Sequence, residues 1–226
     1  MKKRTAFIGA ILSLIPLGQP VLIKSAFSLL TVGFIFSISE NLNAEPINYY
    51  YFNRAIDKNN SGDFEGAIED FSKNIEINPW HADAYAYRGL VKDLLGDFEG
   101  AIVDYTEAIR IQPRNSNAYL NRGFTKNKIK DYKGAINDFS KLIEFDPKEA
   151  YAYYNRARSK YFLRDYPGAI SDFNKAIKFN PKDLESYVNL GVVKYKMGNL
   201  EGACSDWRKA STFGWKKAEA TLKDLC

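Results

Sequence analysis

Asn121, Asn155 and Asn189 stand 34 residues apart, with Asn53 in the same phase and Tyr87 filling the one gap. An asparagine side chain carries both a donor and an acceptor. A row of them can therefore grip a peptide backbone without reading its side chains. Near these positions lie Tyr151, Tyr154, Tyr161, Phe162 and Tyr195, with Lys128, Arg158 and Lys196. Aromatic rings and arginine dominate interface energies, and cations among them suit an acidic or carboxylate-ended segment. The chemistry on offer is recognition. Catalysis finds less support. Asp70, Asp104, Asp138, Asp172 and Asp206 recur in one phase, whereas a catalytic site is normally unique. His81 is the single histidine and follows Pro79-Trp80, where it is expected in a surface loop. No P-loop glycine pattern and no Cys-x-x-Cys occur. The chain is read as no enzyme, with no cofactor and no metal.

The elements that must position these residues come from a repeat. The segment GDFEGAIEDFSKNIEINP spans 62–79 and returns, lightly changed, at 96–113, 130–147, 164–181 and 198–215. The step is 34 residues each time with no insertion, and a fixed period of this size marks a stacked architecture. Counted from Asn48, five units run 48–81, 82–115, 116–149, 150–183 and 184–217.

Each unit reads as two antiparallel helices. Position 4 of the unit is Tyr51, Tyr85, Tyr119, Tyr153 or Tyr187. Position 8 is Ala55, Gly89, Gly123, Ala157 or Gly191, and position 20 is always alanine, from Ala67 to Ala203. Small residues at 8 and 20 are expected to meet where the helices cross, with position 4 facing position 24. The turn between the helices holds Gly62, Gly96 and Gly198, where a left-handed backbone favours glycine; Lys130 and Arg164 stand there in units three and four. Asp63, Asp97, Asp131, Asp165 and Asn199 follow as N-caps. Pro79, Pro113, Pro147 and Pro181 stop the second helix.

Small residues at 8 and 20, aromatics at 4, 17 and 24, proline at 32 and a period of 34 resemble the tetratricopeptide repeat over residues 48–217. The resemblance implies an all-α fold: a right-handed α-solenoid of five antiparallel helix pairs, closed by a capping helix over 216–225 with Ala218, Leu222 and Leu225 inward. It also implies peptide binding on the concave wall lined by the first helices. The site residues carried onto that wall are Asn121, Asn155, Asn189, Tyr87, Tyr154, Arg158, Tyr161 and Lys128. The units depart from the family at position 7, usually leucine, which here is Arg54, Arg88, Arg122 and Arg156. These arginines are expected to pair with the position-23 aspartates in units two to four.

The totals limit the partner. Net charge is +5, of which the first 44 residues carry three through Lys2, Lys3, Arg4 and Lys24 against Glu40. The remainder is a mixed surface, so nucleic acid is not an expected partner. Residues 1–44 carry two apolar runs, Thr5–Leu17 and Ser25–Ile38, split by Pro16, Gly18, Pro20 and Lys24. Neither run reaches the roughly 20 residues that span a bilayer. The segment is read as a signal peptide cleaved after Ala44, leaving a repeat domain over 45–226; the alternative is an N-terminal membrane anchor. An exported chain would sit in a periplasm, a thylakoid lumen or the medium. Its two cysteines, Cys204 and Cys226, fall where antiparallel packing joins the cap to the preceding helix, so a disulfide is feasible there.

The function expected is a protein-interaction scaffold that holds an extended peptide or helix. The alternatives are an assembly or maturation factor for a membrane protein complex and a structural homo-oligomer.

Overall fold

The computed structural model describes residues 47–226; the expected leader, 1–44, lies outside the described residues. The described chain is all helical. Its elements are α1 (Ile47–Ser61), α2 (Phe64–Ile77), α3 (Ala82–Leu95), α4 (Phe98–Ile111), α5 (Ser116–Lys128), α6 (Tyr132–Phe145), α7 (Ala150–Phe162), α8 (Tyr166–Phe179), α9 (Leu184–Lys196), α10 (Leu200–Thr212) and α11 (Ala218–Leu225). They form an α-solenoid of five helix pairs with α11 laid against α10. From α2 to α11 consecutive helices pack on one another, and α1 lies on α2 through Phe52 and Phe71. The first helices of neighbouring pairs also touch, α3 with α5 and α7 with α9, which puts the first-helix side on the inside of the curve.

Local chemistry fixes each pair. Asp97 accepts from the Gly100 backbone N–H at 2.9 Å, and Asp63, Asp131, Asp165 and Asn199 cap α2, α6, α8 and α10 in the same way. Such a cap satisfies a donor that the helix cannot. The core is a column of small residues and rings. Ala101 and Ala135 are fully buried, as are Tyr105 and Phe139.

The ring register differs from the expectation. Position 4 meets position 30, not 24: Tyr119 lies on Phe145, Tyr153 on Phe179 and Tyr187 on Phe213. Position 24 instead covers position 8, so a Cβ on Gly123 would sit 2.8 Å from the Phe139 ring. Helical side chains lean toward their own N-terminus. In an antiparallel pair that lean carries position 4 toward the end of the second helix and position 24 toward the middle of the first.

Two further expectations are corrected. The cap helix starts at Ala218, after a turn at 216–217, and Leu225 is 37% exposed; Ala218 and Leu222 face inward. His81 is not a free surface residue. It is half-buried, its ring lies 4.7 Å from Phe52, and its Nδ1 donates to Asn74 Oδ1 at 2.7 Å. Asn74 has its amide nitrogen on the Asn48 carbonyl, which leaves the oxygen to accept. Burial pushes the His81 pKa below its ordinary value, which fits a neutral ring in a structural role.

Candidate functional site

The position-7 arginines tie the two helices together in the first four pairs. Arg88 donates to Asp104 through Nε at 2.9 Å and Nη2 at 2.7 Å, the two-pronged geometry a guanidinium makes with a carboxylate. Arg122–Asp138 and Arg156–Asp172 repeat it in the third and fourth units, and Arg54–Asp70 adds it in the first. Two further contacts were missed by sequence reasoning. Lys58, Lys92, Lys126 and Lys160, at position 11, each reach the same carboxylate at 2.7–3.0 Å. The free guanidinium nitrogen crosses to the preceding pair: Arg88 to Ser72, Arg122 to Thr106 and Arg156 to Ser140, at 2.9–3.0 Å. The signal for the lysines was present, since they recur at the same 34-residue step. Hydrogen bonds from Arg54 lead the effects that hold the Asp70 carboxyl below the usual range, against its burial.

With the pairs held in this way, the inside of the curve carries a continuous groove of three cavities. The first, about 350 Å³, is lined by Asp83, Tyr87, Leu90 and Asn121. The second, about 490 Å³, shares Leu90 and Asn121 and adds Lys128, Tyr132, Arg158 and Phe162. The third, about 90 Å³, shares Arg158 and Phe162 and adds Tyr161 and Asn189.

Of the eight residues proposed from sequence, Tyr87, Asn121, Lys128, Arg158, Tyr161 and Asn189 line this groove. Tyr154 lies under it as a platform. Its ring stacks on Tyr151 at 6.3 Å, and the Arg158 guanidinium sits 5.7 Å above it. Asn155 does not belong to the groove surface. It is 1% exposed, and its amide donates to the Tyr151 carbonyl one turn back. Asn189 makes the same bond to the Glu185 carbonyl. The row is therefore not a uniform ladder. Asn121 and Asn189 are half-buried.

The groove's charges are also unequal. Lys128 is paired with Asp93, which in turn accepts from Thr125 at 2.8 Å. Arg158 has no carboxylate partner among the described residues and is exposed. Phe162, placed beside the asparagine row in the sequence but not among the eight site residues, stacks on Tyr132 at 5.0 Å and walls both the second and third cavities. At the far end Cys204 and Cys226 are joined by a disulfide that ties α11 to α10.

A repeat-built helical solenoid with a lined inner groove defines the class. The chain carries tetratricopeptide repeats. The family described as TPR repeat matches residues 94–130 and 163–198, and the one described as tetratricopeptide repeat matches 116–149. An uncharacterized protein of Methanocaldococcus jannaschii is 42% identical over 41 residues, 18% of this chain and 48% of that protein. The match thus spans about half the length of that relative. Among solved structures, MamA superposes with a TM-score of 0.70 at 23% identity, covering 76% of this chain and 94% of MamA. MamA from Desulfovibrio magneticus RS-1 gives 0.70 at 19%, covering 74% and 94%. YrrB, described as a TPR protein with an unusual peptide-binding site, gives 0.69 at 21%, covering 85% and 98%. At these identities the structural likeness speaks to the fold.

Proposed function

We propose that the array is a non-catalytic scaffold that holds an extended peptide or a helix in its concave groove. The observation that carries this reading is the unbroken run of cavities from Tyr87 to Asn189, with apolar walls, amides and one unpaired guanidinium. Such grooves, largely apolar with a few placed polar groups, are where ligands seat. The peptide-binding site named for YrrB supports the same class of partner. Export is proposed with it: a disulfide between Cys204 and Cys226 fits an oxidising compartment, and intact mass from the native host tests cleavage after Ala44.

The test of the groove is a displayed library of random peptides, selected on the full chain and on Asn121→Ala/Arg158→Ala. A consensus found with the parent and lost from a variant of equal melting temperature supports the reading. No enrichment with the parent, or the same consensus from both, sinks it.

A further inference from the structure

Tyr105 stands where the other pairs place Phe71, Phe139, Phe173 and Trp207. Its ring does the common work, since a Cβ on Gly89 would meet it at 3.0 Å. Its hydroxyl has no counterpart in the phenylalanines. It is fully buried and has no hydrogen-bond partner among the described residues. Thr125 stands near it without closing a bond, and donates to Asp93 at 2.8 Å. A buried ring with a polar tip usually finds a partner, as Trp207 Nε1 does by donating to the Val188 carbonyl at 3.2 Å. A buried polar group left without one calls for an explanation. Burial first, then the nearby charges of Asp93 and Asp104, push the Tyr105 phenol above its ordinary value, so it stays a donor.

Tyr105 lines the second cavity, and so does Arg158. One is a buried donor at the floor and the other an exposed donor at the mouth. We propose that this cavity takes a glutamate side chain of the bound peptide, with its carboxylate accepting from the Arg158 guanidinium and the Tyr105 hydroxyl. Charge selects the class. Lys128 and Arg158 line the cavity against Asp93, which is already matched by Lys128 and Thr125. One positive charge is left over. Asp83 lines the first cavity, where it repels an acid and so helps to fix the register. A carboxylate only accepts, with lone pairs enough for both donors, and such charge-assisted bonds are the stronger kind. Depth selects glutamate over aspartate, because the longer stem reaches a buried floor while Leu90, Phe124 and Phe162 wall its methylenes. The source is a side chain and not a chain end, because groove continues on both sides. The first cavity shares Leu90 and Asn121 with the second, and the third shares Arg158 and Phe162. A peptide lying along the groove passes over this cavity and lowers a side chain into it.

The assignment rests on the groove reading, and its test can fail separately. Random peptides displayed as internal loops, with no free C-terminus, are selected on the full chain. A consensus with glutamate at one fixed position is expected. The consensus is then made as an amidated peptide, with glutamate, glutamine or alanine at that position. On the parent, glutamine should bind about tenfold more weakly than glutamate. On Arg158→Gln the two should agree within about twofold. Tyr105→Phe keeps the ring over Gly89 and removes the unmatched hydroxyl, so it should melt no lower than the parent. It should weaken the glutamate and glutamine peptides several-fold relative to the alanine peptide. A consensus with no fixed acid overturns the assignment and leaves the groove reading standing, whereas no enrichment with the parent sinks both. A need for a free C-terminal carboxylate, or a glutamate preference that survives Arg158→Gln, also overturns it. So does a Tyr105→Phe protein that binds all three peptides as the parent does, which would make the hydroxyl a structural group.

Discussion

The Asp104 carboxylate is held on one side by both arms of Arg88 and on the other by Lys92, at 2.7–2.9 Å, inside a protein that leaves it almost no solvent. A buried charge so enclosed is costly to strip of its partners. Asp104→Ala is expected to destabilise the array by about 3 kcal/mol, since it leaves two cations facing each other. Arg88→Leu/Asp104→Leu should cost less than the two single changes summed. Denaturant melts of the four proteins measure the coupling directly.

The fifth pair lacks the arginine. Leu190 occupies its place, and Asp206 keeps only Lys194, at 2.7 Å. Burial pushes the Asp206 carboxyl above its ordinary value, while Asp172 is held below it: burial would raise it too, but hydrogen bonds from Arg156 and Lys160 prevail. The signs are opposite. Asp172 contributes stability that is present above the ordinary carboxylate range and is lost as pH falls through its lowered value. Asp206 contributes most below that range, and its contribution declines as pH rises through its raised value. Asp172→Asn should therefore weaken the protein most at neutral pH and least in acid. Asp206→Asn should flatten the decline between the ordinary carboxylate range and neutrality. Thermal melts across pH test both.

A polar spine also links the inner helices. Thr125 donates to Asp93 at 2.8 Å and Ser159 to Asn127 at 2.9 Å, each from one pair to the pair before it. At the equivalent position in the second pair stands Val91, and Asn59 Oδ1, the acceptor it would serve, is buried without a partner among the described residues. Val91→Thr keeps the shape and supplies the missing donor. It is expected to stabilise the protein by about 1 kcal/mol; a lower melting temperature would show that the register does not carry over to the first junction.

Reduction isolates the contribution of the cap. The Cys204–Cys226 bond closes a separation of 22 residues, and a loop of that size is worth about 3 kcal/mol. Cys226→Ser should expose Lys216, Lys217 and Lys223 to trypsin well before the other lysines, at unchanged cleavage in the first four pairs. Uniform cleavage along the chain would mean that the bond supports the whole array.

Much of this fold was legible because the repeat states it several times over. Caps at Asp63, Asp97, Asp131 and Asp165, stops at the prolines and small residues at 8 and 20 are local rules that each unit obeys independently. The Arg–Asp bonds followed from counting residues across an antiparallel pair. What escaped depends on direction and crowding. The lean of helical side chains moved Tyr153 onto Phe179, and Asn155 is buried with its amide turned back to the Tyr151 carbonyl; neither effect is visible in a period. The lysines at position 11 were visible but had no assigned task until the buried aspartates showed one.

The arginine contacts between pairs also have a sense. Arg156 holds Ser140, Arg122 holds Thr106 and Arg88 holds Ser72, always toward the preceding pair. Load placed on the fourth pair passes along one polar thread to the first. The fifth pair stands off that thread, because Leu190 has nothing to hand on. A tug on the centre of the groove would be shared by four pairs at once, whereas a tug on the fifth would be carried by packing and the Asn189–Tyr154 hydrogen bond.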